Sequence, residues 1–340
     1  MLYVGLDIHV SHITGCVLDE NGKVLERWQV KGIRELVWRL EQLSSFEVCY
    51  EASTGYGTFF ELLSKHASRV AVAHPGLLRL IYRSKQKNDR ADAQKLAKLL
   101  YVGEVPEVHV PSADVRAWRE LITFRRKVVE KRTRAKNGLR CVLRTLGIVA
   151  PKKPGLWSKK GLAWLRELEF SSPLHAVKRD LLVEEVESLC SQITRIESEL
   201  AKFSKDNPAV ELLRTIPGVG LRTSEAVVAF IDDPHRFANS KKLGSYFGLV
   251  PSQDQSGSRN RLGHITKEGS ATVRHLVTEA VWQASRRSPT VRAYVDRIAR
   301  GEKDRKKVAI AATAHYLVRV MWSMLKNGTV WKENEKLLVA

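Results

Sequence analysis

Asp7 sits inside the run Val4-Gly5-Leu6-Asp7-Ile8, with apolar residues on both sides. An acid among strand-forming apolar residues is expensive to bury unless it is paired or holds a cation. Glu51 ends a second such run, Phe46-Glu47-Val48-Cys49-Tyr50-Glu51, and Asp89 and Asp92 stand three apart in Asn88-Asp89-Arg90-Ala91-Asp92. On a helix that spacing puts both acids on one face. Four carboxylates brought together offer the hard oxygen donors that hold a pair of Mg²⁺ ions. Two such ions activate an attacking hydroxyl and stabilise the leaving oxygen in phosphodiester cleavage. Taken singly, Asp89 and Asp92 are read more simply as a helix cap or as partners of nearby cations. Asp7 has few such explanations, and the joint order Asp, Glu, Asp-x-x-Asp favours a metal-dependent nuclease.

A second set of reactive residues lies far along the chain. The stretch Gly248-Leu249-Val250-Pro251-Ser252-Gln253-Asp254-Gln255-Ser256-Gly257-Ser258 leads into Arg259-Asn260-Arg261-Leu262-Gly263-His264-Ile265-Thr266-Lys267-Glu268-Gly269. It reads as a flexible loop with serines among cations. A serine hydroxyl is a poor nucleophile unless a base or metal activates it. Arg259, Arg261 and Lys267 are placed to stabilise charge building on a phosphate. By itself a Ser-Gly stretch is more often only a turn. Upstream, Ile216-Pro217-Gly218-Val219-Gly220 lies between two apolar helical stretches and fits a helix-hairpin-helix turn. Gly218 and Gly220 would let backbone N–H groups at a helix start hold a DNA phosphate. An ordinary glycine turn is the plain alternative.

The elements that must position the acids follow from patterning. Residues 3–9 and 12–18 are apolar, β-branched runs parted by a short polar step, and 23–30 make a third after Glu20-Asn21-Gly22. That is a three-strand meander. Leu36, Val37, Leu40 and Leu43 predict a helix over 32–43. Residues 46–51 form a fourth strand, ending in the turn Ala52-Ser53-Thr54-Gly55 that opens another helix. Val70-Ala71-Val72-Ala73 suits a buried fifth strand, and 89–102 a further helix. The order describes an α/β sandwich around a mixed sheet. Such a sheet can set the first and fourth strands side by side with the later helix across their ends, which is what convergence of the four acids requires.

After residue 104 the composition shifts. Residues 112–147 read as one long helix whose middle carries Arg125, Arg126, Lys127, Lys131, Arg132, Arg134, Lys136 and Arg140. It is a candidate nucleic-acid rail, with a solvated basic face as the alternative. Residues 151–160 are a Pro-Lys-rich linker or corner. Leu182, Val186, Leu189, Ile193, Ile196, Leu200 and Phe203 alternate in steps of four and three, a coiled-coil seam. It serves either a fold back onto the basic helix or a dimer. From about 208 a compact domain begins, with helices expected near 270–287 and 304–326. The divisions are 1–110, 111–205 and 206–340.

The 340 residues favour more than one domain, and 44 % hydrophobic content is enough to bury real cores. A net charge of +20 points to a polyanionic partner, nucleic acid before a membrane surface. An unbroken apolar run long enough to cross a bilayer is not evident. The first residues lack a basic stretch and cleavage site, so secretion is not expected. Cys16, Cys49, Cys141 and Cys190 have no CxxC spacing and are expected as buried free thiols in a reducing cytoplasm.

Val4-Gly5-Leu6-Asp7-Ile8-His9, Tyr50-Glu51-Ala52-Ser53-Thr54-Gly55 and Asn88-Asp89-Arg90-Ala91-Asp92-Ala93 together resemble the RuvC-like domain of the bridge-RNA-guided insertion-sequence transposases, which are related to the pilin-gene invertases. Pro251 with Ser256-Gly257, then Gly263-x-Ile265-x-Lys267-x-Gly269, is similar to the transposase domain of the same family. The resemblance covers most of the chain. It implies an RNase H-like N-terminal domain, central long helices with a coiled coil, and a mostly α-helical C-terminal domain. It further implies Mg²⁺ on Asp7, Glu51, Asp89 and Asp92, and a serine nucleophile at Ser256 that joins covalently to a DNA end. The implied partners are donor and target DNA, a noncoding guide RNA, and further copies of the chain as a dimer or tetramer. Relatives often carry two adjacent serines where this chain has Gln255-Ser256, which keeps Ser252 and Ser258 as weaker alternatives. Two other readings stay open: a junction-resolving endonuclease that uses water, and a basic scaffold with no catalysis.

Overall fold

The computed structural model describes residues 1–82, 88–256 and 259–334. The chain divides into two units, Met1–Ala113 and Asp114–Ala340, so segments 111–205 and 206–340 fall mostly together in the second.

In the first unit, β1 (Leu2–Ile8), β2 (Ile13–Leu18) and β3 (Val24–Val30) form the expected meander, followed by α1 (Ile33–Glu41). Next come β4 (Phe46–Glu51), α2 (Tyr56–Leu63), β5 (Arg69–Ala73), α3 (Pro75–Ile81) and α4 (Asp89–Tyr101). The sheet order is β3-β2-β1-β4-β5. β1 runs antiparallel to β2 and parallel to β4, and β4 runs parallel to β5. The first and fourth strands are therefore neighbours, as the acids require.

Strand alternation splits β1 between two layers. Val4 and Leu6 point into a core with Leu36, Leu40, Tyr50, Leu63 and Val72. Tyr3, Gly5 and Asp7 face the other side, where α4 lies. A methyl group on Gly5 would stand 2.1 Å from the Ala93 carbonyl oxygen and 2.4 Å from the Ala97 nitrogen, so only glycine lets the helix backbone come so near. Small residues continue the seat of the helix: Cys49, Ala71 and Ala73 pack with Leu96 and Leu100, and Cys16 packs with Ala93 and Ala97.

The second unit begins with α5 (Ala113–Thr145), α6 (Lys159–Glu167) and α7 (Pro173–Ser204). The heptad residues of α7 are used within the chain. Leu189, Ile193, Ile196 and Leu200 share a core with Trp118, Ile122 and Val128 of α5, and Val186 packs with Ala135, Leu139 and Leu143. The two helices thus run antiparallel, the fold-back alternative of the two expected. Part of the predicted linker is helical, since α6 starts at Lys159 with Ser158 as its cap.

Then α8 (Pro208–Arg214), α9 (Leu221–Ile231), α10 (Ser240–Tyr246), β6 (Pro251–Ser256), β7 (Arg259–Ile265), α11 (Ala271–Arg287), α12 (Pro289–Ala299) and α13 (Lys306–Asn327) complete the unit. The stretch expected as a flexible loop is instead a two-stranded antiparallel hairpin. By length and composition α13 could cross a membrane, although His315 and Arg319 interrupt its apolar run. Its residues Ala309, Ile310, Ala314, Leu317, Val318 and Met321 are buried in the core of this unit. All four cysteines are free, but only Cys16 and Cys49 are buried; Cys141 is exposed and Cys190 half-buried, correcting the expectation for those two.

Candidate active site

Register and helix direction assemble the acids. β1 and β4 pair with Gly5 opposite Cys49 and Leu6 opposite Tyr50, so one further step sets Asp7 beside Glu51 at the ends of two parallel strands. Both acids project to the α4 side. α4 runs against β1, with Ala93 and Ala97 over Gly5 and Tyr101 against Tyr3 at 5.4 Å between ring centroids. The first turn of α4 therefore lies toward Asp7. The Asn88 side chain caps that turn by accepting the Arg90 N–H at 3.0 Å. Asp89 and Asp92 occupy it, where the partial positive charge of a helix start favours acids.

The result is an open cleft of about 500 Å³, lined by Asp7, His9, Glu51, Ser53, Arg79, Asp92 and Lys95 among others. Asp7 keeps 19 % of its side-chain exposure. Burial raises its pKa above the ordinary carboxylate value; His9 pulls it down, while the charges of Asp89 and Asp92 push it further up. Asp7 therefore experiences the crowding of like charge that a cation would relieve. Lys95 Nζ is 2.8 Å from Asp92 Oδ1. Asp89 is met by two imidazoles: His12 Nε2 at 2.9 Å and His9 Nε2 at 3.6 Å. His9 Nε2 is also 3.3 Å from Asp7.

His9 and His12 are functional candidates that the sequence reading did not single out. They sit at either end of the tight turn from β1 to β2, where the His9 N–H donates to the His12 carbonyl at 2.9 Å. The usable signal was the spacing His9-x-x-His12 directly after Asp7. Arg79 and Lys95, cations that line the cleft among the described residues, were also missed; Lys95 lies three residues beyond Asp92 on the same helix.

The second unit treats its expected residues unevenly. Ser256 is exposed at the end of β6, opposite Arg259, and Ser252, Arg259, Arg261 and Lys267 are exposed as well. Ser258 lies outside the described residues. Among the described residues of this unit, no side chain hydrogen-bonds to Ser256. α8 and α9 do pack together across the turn 215–220. There Gly218 has φ +91° and its missing Cβ would stand 2.4 Å from the Ala284 nitrogen, so its identity answers to packing against α11. Gly220 caps α9 with open space around it.

On α5 the expected rail is only partly free. Arg125 Nε donates to Glu197 at 2.7 Å, Arg126 pairs with Glu130 at 2.8 Å, and Lys136 lies over the Trp157 ring at 5.0 Å. Arg132 is half-buried, 3.9 Å from the Cys190 sulfur. Lys131 is exposed, as are Lys127 and Arg134.

Comparison with known proteins matches two stretches of the chain, the first of which runs through the first unit and on along α5. A family model described as Transposase IS116/IS110/IS902 family matches residues 210–296, and a transposase model of the DEDD IS110 type matches residues 4–148. The chain is 30 % identical to "Putative transposase y4qE" of Sinorhizobium fredii over 290 residues, covering 82 % of this chain and 71 % of that protein. It is 26 % identical to the transposase for insertion sequence element IS1328 of Yersinia enterocolitica, covering 97 % of this chain and 98 % of that one. The pilin gene-inverting protein of Moraxella bovis is 22 % identical, with 91 % of each chain covered.

Proposed function

This chain belongs to the IS116/IS110/IS902 transposase family, and from that membership we propose that it cuts and rejoins DNA with two sets of residues, the acidic cleft and Ser256. The family makes it a DNA transposase, which removes the scaffold reading, and the DEDD match implies an RNase H-like fold for the first unit. The observation that carries the proposal is the convergence of Asp7 and Glu51 on adjacent strand ends with Asp92 in one cleft and Asp89 beside it.

Asp7, Glu51, Asp89 and Asp92 would hold Mg²⁺. Their oxygen-only donor set suits a hard cation, and the raised pKa of Asp7 fits a group that gains from one. When bound, the cation supplies Lewis-acid polarisation of the scissile phosphate. Lys95 and Arg79 at the cleft wall would neutralise phosphate oxygens. Ser256 Oγ attacks phosphorus, forming a phosphoserine ester to one strand end while the other end leaves as a hydroxyl that takes up a proton. Arg259, across the hairpin, stabilises charge on that phosphate.

Gly218 and Gly220 at the start of α9, Arg261 and Lys267 beside the hairpin, and the exposed cations of α5 would contact backbone phosphates. The proposed partners are donor and target DNA, a noncoding guide RNA, and other copies of the chain in a dimer or tetramer. The charge of +20 supports a polyanionic partner of either kind.

Covalent trapping tests the serine. In cells carrying the whole native element, the protein is denatured, digested with its DNA and searched by mass spectrometry for a nucleotide-bearing peptide. A nucleotide on Ser256 is expected, and Ser256→Ala should abolish strand exchange. Full exchange by Ser256→Ala overturns the assignment. One observation favours water as the alternative nucleophile: no described side chain of its unit activates Ser256. That reading gains if no adduct forms while DNA cleavage still disappears in Asp7→Asn.

A further inference from the structure

The Asp89 side of the cleft has a donor set that the four acids alone do not describe. His9 Nε2, His12 Nε2 and an Asp89 oxygen all lie within 4.8 Å of one another, and all are partly exposed. Two of the spacings are 2.9 and 3.6 Å, and His9 adds Asp7 at 3.3 Å. Ligand atoms about 2.1 Å from a tetrahedral ion stand about 3.4 Å apart, so these distances are those of atoms that can share one ion with small adjustments. We propose that His9, His12 and Asp89, with Asp7 at the edge, form a nitrogen-bearing metal site that takes a first-row transition-metal dication in preference to Mg²⁺. This deepens, and rests on, the reading of the cleft as a metal-dependent nuclease site.

The chemistry follows from the donors. Imidazole nitrogen suits Fe²⁺, Ni²⁺, Cu²⁺ and Zn²⁺, with Mn²⁺ the weakest binder of the first-row series, whereas Mg²⁺ takes oxygen and keeps its waters. The turn is built to aim the rings. The hydrogen bond from the His9 N–H to the His12 carbonyl closes it, and the two rings lie 5.2 Å apart between centroids at an angle of 33°. Ser11 Oγ is 2.9 Å from His12 Nδ1. With Nδ1 protonated and donating to that hydroxyl, the lone pair stays on Nε2, the atom facing Asp89. Such outer partners commonly fix the tautomer of a metal-binding histidine. Without the ion, the same Nε2 donates to Asp89, and Ser11 donates to Nδ1. One hydroxyl thus serves both states.

The test uses the full chain, stripped with a chelator and titrated with Mn²⁺. Pulsed electron paramagnetic resonance should show nitrogen coupled directly to the bound ion. Displacing that ion should take at least about a tenfold excess of Mg²⁺. The double variant His9→Gln/His12→Gln should lose the nitrogen coupling and the preference for Mn²⁺. Bound Mn²⁺ without nitrogen coupling in the unmodified protein overturns the proposal, as do coupling that survives in the double variant and equal competition by Mg²⁺. Because the first readout needs no variant, misfolding cannot mask it. Glu51→Gln separates the underlying reading. If it leaves Mg²⁺ affinity unchanged, the carboxylate site fails, while nitrogen coupling in the same variant still upholds the histidine site.

Discussion

Asp7 joins fold and chemistry in one side chain. Its pKa is raised, so the folded chain holds the proton more tightly than the unfolded one. The stability gained from the protonated form is complete below the unfolded pKa and is lost as pH rises through the folded value. At neutral pH the ionised carboxylate therefore works against folding, and Asp7→Asn removes that charge while keeping the shape. Metal-free Asp7→Asn should melt about 2 °C above the unmodified chain at pH 7, with the gap closing as pH falls toward the ordinary carboxylate range. Added Mg²⁺ should raise the melting point of the unmodified chain and leave the variant nearly unmoved. Scanning fluorimetry with and without chelator reads both effects; a variant that melts lower at pH 7 contradicts the argument. The acids themselves were legible in the sequence because a mid-strand Asp has few uses. The histidines were not, because their meaning depends on a turn whose closure brings them back onto Asp89.

Elements decide whether those side chains can meet, and β1 against α4 is the decisive pair. A Cβ at position 5 collides with backbone atoms of Ala93 and Ala97, which no rotamer change relieves. Gly5→Ala should cost about 1–3 kcal/mol, in the range of core overpacking. It should also weaken divalent-cation binding several-fold, since displacing α4 carries Asp89 and Asp92 away from Asp7. Gly32→Ala is the control, because a Cβ there meets nothing within 4 Å. Urea unfolding and a Mn²⁺ titration of both variants check the pair; unchanged stability in Gly5→Ala contradicts the packing. The order of strands and helices in the first unit was readable because apolar alternation and helical spacing report burial. The β6–β7 hairpin was not readable for the same reason. All residues of β6, and of β7 up to His264, are exposed, so no hydrophobic pattern marks them. The short α6 and α12 were missed between stronger signals, and the seam of α7 could not say which partner it meets, because the same heptad serves a fold-back or a second chain.

For the whole molecule, charge is the property that a polyanion would feel first. A net +20 does not say which cations do the binding, and the structure redistributes that role along α5. Arg125 is held by Glu197 and Arg126 by Glu130, so neither offers a free charge. Lys127, Lys131 and Arg134 are exposed, at spacings of four and three that keep them on neighbouring turns of one helix face. Each phosphate neutralised on duplex DNA adds about 0.9 to the slope of log affinity against log salt, and about 0.7 on a single strand. Replacing all three by Gln should therefore lower the slope by about 2.7 if α5 follows duplex DNA and by about 2 if it follows a single strand. Arg125→Gln should leave the slope unchanged and lower stability instead, because it strips Glu197 of its partner. Fluorescence anisotropy with labelled duplex and single-stranded oligonucleotides over a range of salt concentrations separates these outcomes. A triple variant with the original slope on both would move the phosphate contacts off α5, leaving the hairpin cations Arg259 and Arg261 as the next to test.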